Sequence, residues 1–67
     1  MNPPDAIQVL LMSGWTQTSI AKELGVSQPL IGRYLTGTQP NYETGLQLVA
    51  MGRKAEAKLK RQERAQA

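Results

Sequence analysis

The segment from Gln17 to Thr36, Q-T-S-I-A-K-E-L-G-V-S-Q-P-L-I-G-R-Y-L-T, limits the fold more tightly than any other part of the chain. Thr16 can cap a helix. Trp15 before it and Ile20 four residues after it can close a hydrophobic staple. Ile20, Ala21 and Leu24 then fall on one helical face, with Lys22 and Glu23 on the other. Gly25 follows, a residue able to enter the left-handed conformation and end the helix. The same signals repeat at once: Ser27 as a cap, Val26 and Ile31 as a staple, and Pro29 in a first turn, where its missing N–H does no harm. Two capped helices separated by one glycine have few ways to pack. Ala21 is small where they would cross closely, and Ile20, Leu24, Val26, Ile31 and Leu35 supply the apolar contacts of a steeply crossed pair.

Punctuation elsewhere sets out the rest of the chain. Asn2 followed by Pro3 reads as an N-cap with proline at the first helical position, and Asp5 adds negative charge to that turn. Ile7, Leu10 and Leu11 follow at helical spacing until Ser13-Gly14, which predicts a first helix over roughly residues 3–13. Gly37 is expected to end the third helix, and Thr38-Gln39-Pro40 forms a loop. Asn41 can cap a fourth helix carrying Leu46, Leu48, Val49 and Met51, weakened by Gly45. Gly52 either ends that helix or lies inside a longer one. Residues 53–65 favour helix but contain one large apolar residue, Leu59, so alone they should fray. The fold class is therefore all-α, a compact domain of four to five helices: residues 1–52 form the helix-turn-helix domain and residues 53–67 a basic, helical tail.

Composition narrows the chemistry. Sixty-seven residues make one domain near the size where a hydrophobic core is marginal, and no cysteine is present to staple it. The chain also has no histidine and only five scattered carboxylates, so no nucleophile is paired with a base and no metal cluster appears. An enzyme is not expected, and neither are a cofactor, a metal or a small-molecule ligand. The longest apolar run, Val9 to Met12, is far too short to cross a bilayer. A soluble protein of the bacterial cytoplasm, working on the nucleoid, is the expectation. Charge is uneven. Residues 1–52 hold two cations against three carboxylates, a net of −1, and residues 53–67 hold six cations against two carboxylates, a net of +4. Such a tail either meets phosphates, with an attraction that salt weakens, or simply keeps a small domain solvated.

The residues from Trp15 to Leu48, about half of the chain, resemble the compact helical DNA-binding domain of the lambdoid phage repressors and Cro proteins. The resemblance rests on Gln17 opening the second helix, Ala21, Gly25-Val26-Ser27 at the turn, Gln28 opening the third helix, Ile31, and Gly37 then Pro40 before the fourth. It implies that the helix beginning near Ser27 enters the DNA major groove. It further implies that Gln28 reads adenine and that Gln17 holds a phosphate and supports Gln28. A primary amide carries one donor side and one acceptor, matching the adenine edge.

Candidate DNA contacts are Gln17, Thr18, Ser27, Gln28, Pro29, Gly32, Arg33, Thr36, Thr38 and Asn41. Arg33 can reach a guanine or a phosphate, and Gly32 would allow close approach of the duplex. Two positions depart from the family pattern. Pro29 stands where relatives often carry a polar base reader, and its ring could meet a thymine methyl. The loop Thr36–Asn41 lacks Lys and Arg, so hydroxyl, amide and backbone N–H groups would hold phosphates there. Each position also has a plainer reading as a solvated or capping residue, and Trp15 belongs to the core. Tyr34 either packs or reaches the backbone. Tyr42 and the Leu46/Val49 stripe are either core or dimer interface. The expected function is sequence-specific binding of double-stranded DNA by a homodimer on a pseudo-palindromic operator, as in a Cro-like phage repressor. The alternatives are a helical protein-interaction module and an antitoxin-like autoregulator.

Overall fold

The computed structural model describes the backbone of residues 1–66 and side chains as far as Arg61; Glu63 and Arg64 of the basic tail lie beyond the described side chains. Four helices follow in order: α1 (Pro3–Met12), α2 (Gln17–Leu24), α3 (Gln28–Leu35) and α4 (Tyr42–Gln66). None among the described residues is long and apolar enough to cross a membrane.

Local chemistry fixes the ends. Asn2 caps α1 by accepting the Asp5 N–H at 3.0 Å, and Asn41 caps α4 by accepting the Thr44 N–H at 2.8 Å. At α2 the Thr16 Oγ1 accepts the Ser19 N–H at 3.0 Å, while the Ser19 Oγ accepts the Thr16 N–H at 2.9 Å. This is a capping box with serine in the place where glutamate or glutamine is usual. The first three helices end alike, each with a glycine at positive φ: Gly14, Gly25 and Gly37. The residue after each glycine donates back to the carbonyl five positions earlier: Trp15 to Leu10, Val26 to Ala21 and Thr38 to Arg33, each at 3.0 Å. Such a 6→1 bond needs the left-handed residue, and glycine adopts it without a Cβ penalty.

The core collects Ala6, Ile7 and Leu10 from α1, Ile20 and Ala21 from α2, Ile31 and Tyr34 from α3, and Leu48 and Ala55 from α4. Trp15, Leu24, Val26, Leu35 and Met51 pack around it, partly buried. Tyr34 is thus a core residue. Leu46, which the sequence leaves open between core and dimer interface, is 54% exposed and lies outside the core.

α4 passes through Gly52 without a break, which settles one open alternative in favour of the longer helix. The reason is the packing of α1 along α4. Pro3 meets Gly45, Ala6 meets Gly52, and Ser13 borders the surface of Ala55 and Leu59, so the two helices run in parallel. A Cβ on Gly52 would lie 2.8 Å from the Ala6 Cβ and 2.9 Å from its Cα. Gly52 is therefore where two backbones approach, not where a helix stops. Ala55, one turn later, is buried as well and ties the start of the basic segment to the core. With 25 residues at about 1.5 Å each, α4 sets the longest dimension of the molecule, which measures 38 × 20 × 19 Å.

Candidate nucleic-acid interface

α2 and α3 pack on each other and share one outward surface. On α3 the inward face carries Ile31 and Tyr34, both buried, while Gln28, Pro29 and Arg33 on the outward face are exposed. Gln28 is the first residue of the helix and Pro29 the second, so the proline loses no intrahelical hydrogen bond. Gly32 lies between Gln28 and Arg33 along this face. A Cβ there would meet only the Gln17 Oε1, at 4.0 Å, because the first residue of α2 reaches over the middle of α3. The structure thus brings Gln17, Gly32 and the exposed side of α3 together.

The hydrogen-bonding capacity of this surface is uneven. Ser27 precedes α3 in an extended conformation but makes no side-chain capping bond, contrary to the expectation that it would cap. Pro29 and Leu30 follow it, and the Leu30 N–H turns to the Ser27 carbonyl at 3.2 Å, so the helix starts without help from the hydroxyl. The exposed Ser27 hydroxyl is left for an external partner. Gln17 and Thr18 occupy the first two positions of α2, where backbone N–H groups have no intrahelical acceptor.

The loop after α3 is tied to one carbonyl. The Arg33 oxygen accepts the N–H groups of Thr36 and Thr38, each at 3.0 Å, and the Thr36 hydroxyl at 2.9 Å. In this conformation Thr36 offers a lone pair outward but no proton. The exposed Thr38 side chain keeps its own, and Asn41 spends its Oδ1 on the α4 cap while its amide NH₂ stays available. Of the ten expected contact residues, Gln17 and Gly32 are brought together, Thr36 and Thr38 are held at the Arg33 carbonyl, and Asn41 is held at the α4 cap. Ser19 was not among them; its capping role holds Gln17 and Thr18 in place. A hydroxyl three residues after Thr16 was the signal in the sequence for it.

Most of the described basic groups lie on α4, outside the expected contact residues. Among the described residues Lys58 borders grooves lined by Trp15 and Ser13, at the turn that opens α2. Lys60 forms an exposed ion pair with Glu56 at 3.7 Å, a contact of small energetic weight. No group of three or more metal-ligating side chains occurs among the described residues.

The chain finds no significant match among the curated proteins or among the solved structures with which it was compared. A helix-turn-helix family model matches residues 8–51, about two thirds of the chain, from the second turn of α1 to the turn of α4 that precedes Gly52. With α2, the Gly25 turn and the exposed face of α3 inside that span, the chain belongs to the helix-turn-helix family of DNA-binding transcriptional regulators.

Proposed function

We propose that this chain binds a specific site in double-stranded DNA as a homodimer and represses transcription by occupying a pseudo-palindromic operator, in the manner of a Cro-like phage regulator acting on the bacterial nucleoid. The observation that carries the reading is the outward face of α3. Gln28 and Arg33 are exposed there on either side of a glycine, with Gln17 laid over that glycine from α2. Gln28 reads an adenine through its amide, and Arg33 meets a guanine or a phosphate. Pro29 contacts a thymine methyl. Gln17, Thr18, Ser27, Thr36, Thr38 and Asn41 hold the backbone on both flanks.

The position of Lys58 beside the turn that opens α2 supports a further electrostatic role. Lys58, Lys60 and Arg61 draw the duplex in and supply charge that the loop after α3 lacks. Occupancy of the operator by the bound dimer is the simplest route to repression. Selection of a randomised duplex library by the purified protein at moderate salt tests the reading. Enrichment of a two-fold symmetric motif with half-sites about one helical turn apart is expected. Binding without enrichment would reduce the protein to a charge-driven binder, and no binding would remove the DNA reading altogether.

A further inference from the structure

The outer face of α4 is apolar over its first two turns and has no cover within the chain. Tyr42 is 80% exposed and Leu46 54%, with Val49 half-buried and Ala50 exposed beside them. Pro3, Pro40 and Gly45 continue the patch toward α1 and the loop that leaves α3. One such side chain in solvent is ordinary, but a contiguous patch of this kind marks an association surface. Its edges are charged and opposite in sign: Glu43 lies three residues before Leu46, and Arg53 three residues after Ala50, both exposed. Among the described residues neither belongs to an ion pair; the pair found there is Lys60–Glu56.

That arrangement complements itself. Two copies of α4 laid antiparallel, with a two-fold axis passing between Leu46 and Ala50, place each Glu43 against the partner's Arg53. The Tyr42 ring then lies within reach of the same guanidinium, a cation–π geometry. Leu46 packs against Ala50, whose small side chain permits close approach of the helices. A two-fold operation repeats every contact, so the surface needs no second protein to complete it.

We infer that this face of α4 is the homodimer interface, with a second copy of the chain as its occupant. The inference rests on the DNA-binding dimer proposed above and assigns that dimer its surface. Because Gln39, Pro40 and Asn41 form the edge of the patch, the interface adjoins the loop after α3 and ties the relative placement of the two α3 helices to the α4–α4 contact.

The test measures mass in solution by sedimentation and, separately, binding to a full two-half-site duplex and to a single half-site. The wild-type chain is expected to sediment as a dimer. Leu46→Lys is expected to sediment as a monomer with an unchanged helical circular-dichroism spectrum and unchanged half-site affinity, while full-site affinity falls by about a hundredfold as the second binding event stops being intramolecular. Glu43→Arg and Arg53→Glu should each weaken the dimer by like-charge contact, and mixing the two variants should restore it, because both heterologous pairs become complementary. A dimer indifferent to Leu46→Lys and to the charge reversals would overturn this surface while leaving the DNA reading intact. A wild-type monomer at concentrations that saturate DNA would overturn the interface as well, and loss of DNA binding by the unaltered dimer would instead contradict the function on which it rests.

Discussion

Three glycines lie inside helices of this protein, and two of them, Gly52 and Gly32, have surroundings that could hardly differ more. Gly52 is buried where α4 crosses α1, with the Ala6 backbone so near that a methyl group has no room. Gly32 lies on the half-exposed outer side of α3, where a methyl would meet only the end of the Gln17 side chain at 4.0 Å. Each gives up helix propensity of roughly 1 kcal/mol relative to alanine. At Gly52 the packing of two helices requires that. At Gly32 a methyl would meet the Gln17 Oε1 at 4.0 Å, which leaves room for the close approach of a duplex proposed above. The α1/α4 contact is closed to a side chain at Gly52, while the face of α3 stays open at Gly32.

Substitutions can break or sharpen that contrast, beginning with the largest effect. Gly52→Val should overpack the α1/α4 crossing and cost about 1–3 kcal/mol, read as a lower urea midpoint with unchanged slope. Base preference in whatever protein remains folded should not change. An unaltered midpoint would mean that the crossing relaxes freely and is not a constraint. Next, Thr16→Ala removes one side of the capping box and should cost about 1 kcal/mol of stability. It should also weaken DNA binding, because Gln17 and Thr18 lose their anchored turn; equal affinity would detach α2's first turn from recognition.

Gly32→Ala should work in the opposite sense on stability. The helix gains up to about 1 kcal/mol, so the urea midpoint rises, while affinity for the selected duplex falls as a methyl enters the interface. A variant that is more stable and binds equally well would remove the case for close approach at α3. The smallest effect is expected from neutralising Lys58, Lys60 and Arg61 together to glutamine. Stability should stay within about 0.5 kcal/mol, since the exposed Lys60–Glu56 pair contributes little. The slope of log affinity against log salt should flatten by about 0.9 for each phosphate that these cations no longer neutralise. Truncation at residue 52 would not isolate this effect, because it also removes the buried Ala55.

Most of the local architecture was legible because its signals are chemically narrow. Asn2, Thr16 and Asn41 cap as their side chains suggest, and glycine follows each of the first three helices. The large core residues Ile7, Leu10, Ile20, Ile31 and Leu48 also follow from helical spacing. What escaped the pattern was the role of small residues. A search for large apolar side chains gives no weight to Ala6, Gly52 or Ala55, yet these allow α1 and α4 to run close together and carry α4 past residue 52. Helical spacing also leaves Leu46 open between core and interface, and α4 turns it outward. Ser27 shows the limit of cap signals, since a serine before a helix can fill the position without bonding to it. Along α2, α3 and the loop that follows, the sequence does not show which hydroxyl and amide groups are spent on internal hydrogen bonds. That depends on the Arg33 carbonyl gathering Thr36 and Thr38.

The central claim is that the exposed face of α3 reads bases through Gln28, and it is tested most directly by selecting the same randomised duplex library with the wild-type chain and with Gln28→Ala. The account predicts that both motifs keep the same symmetry and half-site spacing. In the variant, preference for adenine at one position of each half-site should be lost, a relaxation of about 1–3 kcal/mol in discrimination. Identical motifs from the two proteins, or an equal loss of affinity for selected and random duplexes, would contradict it.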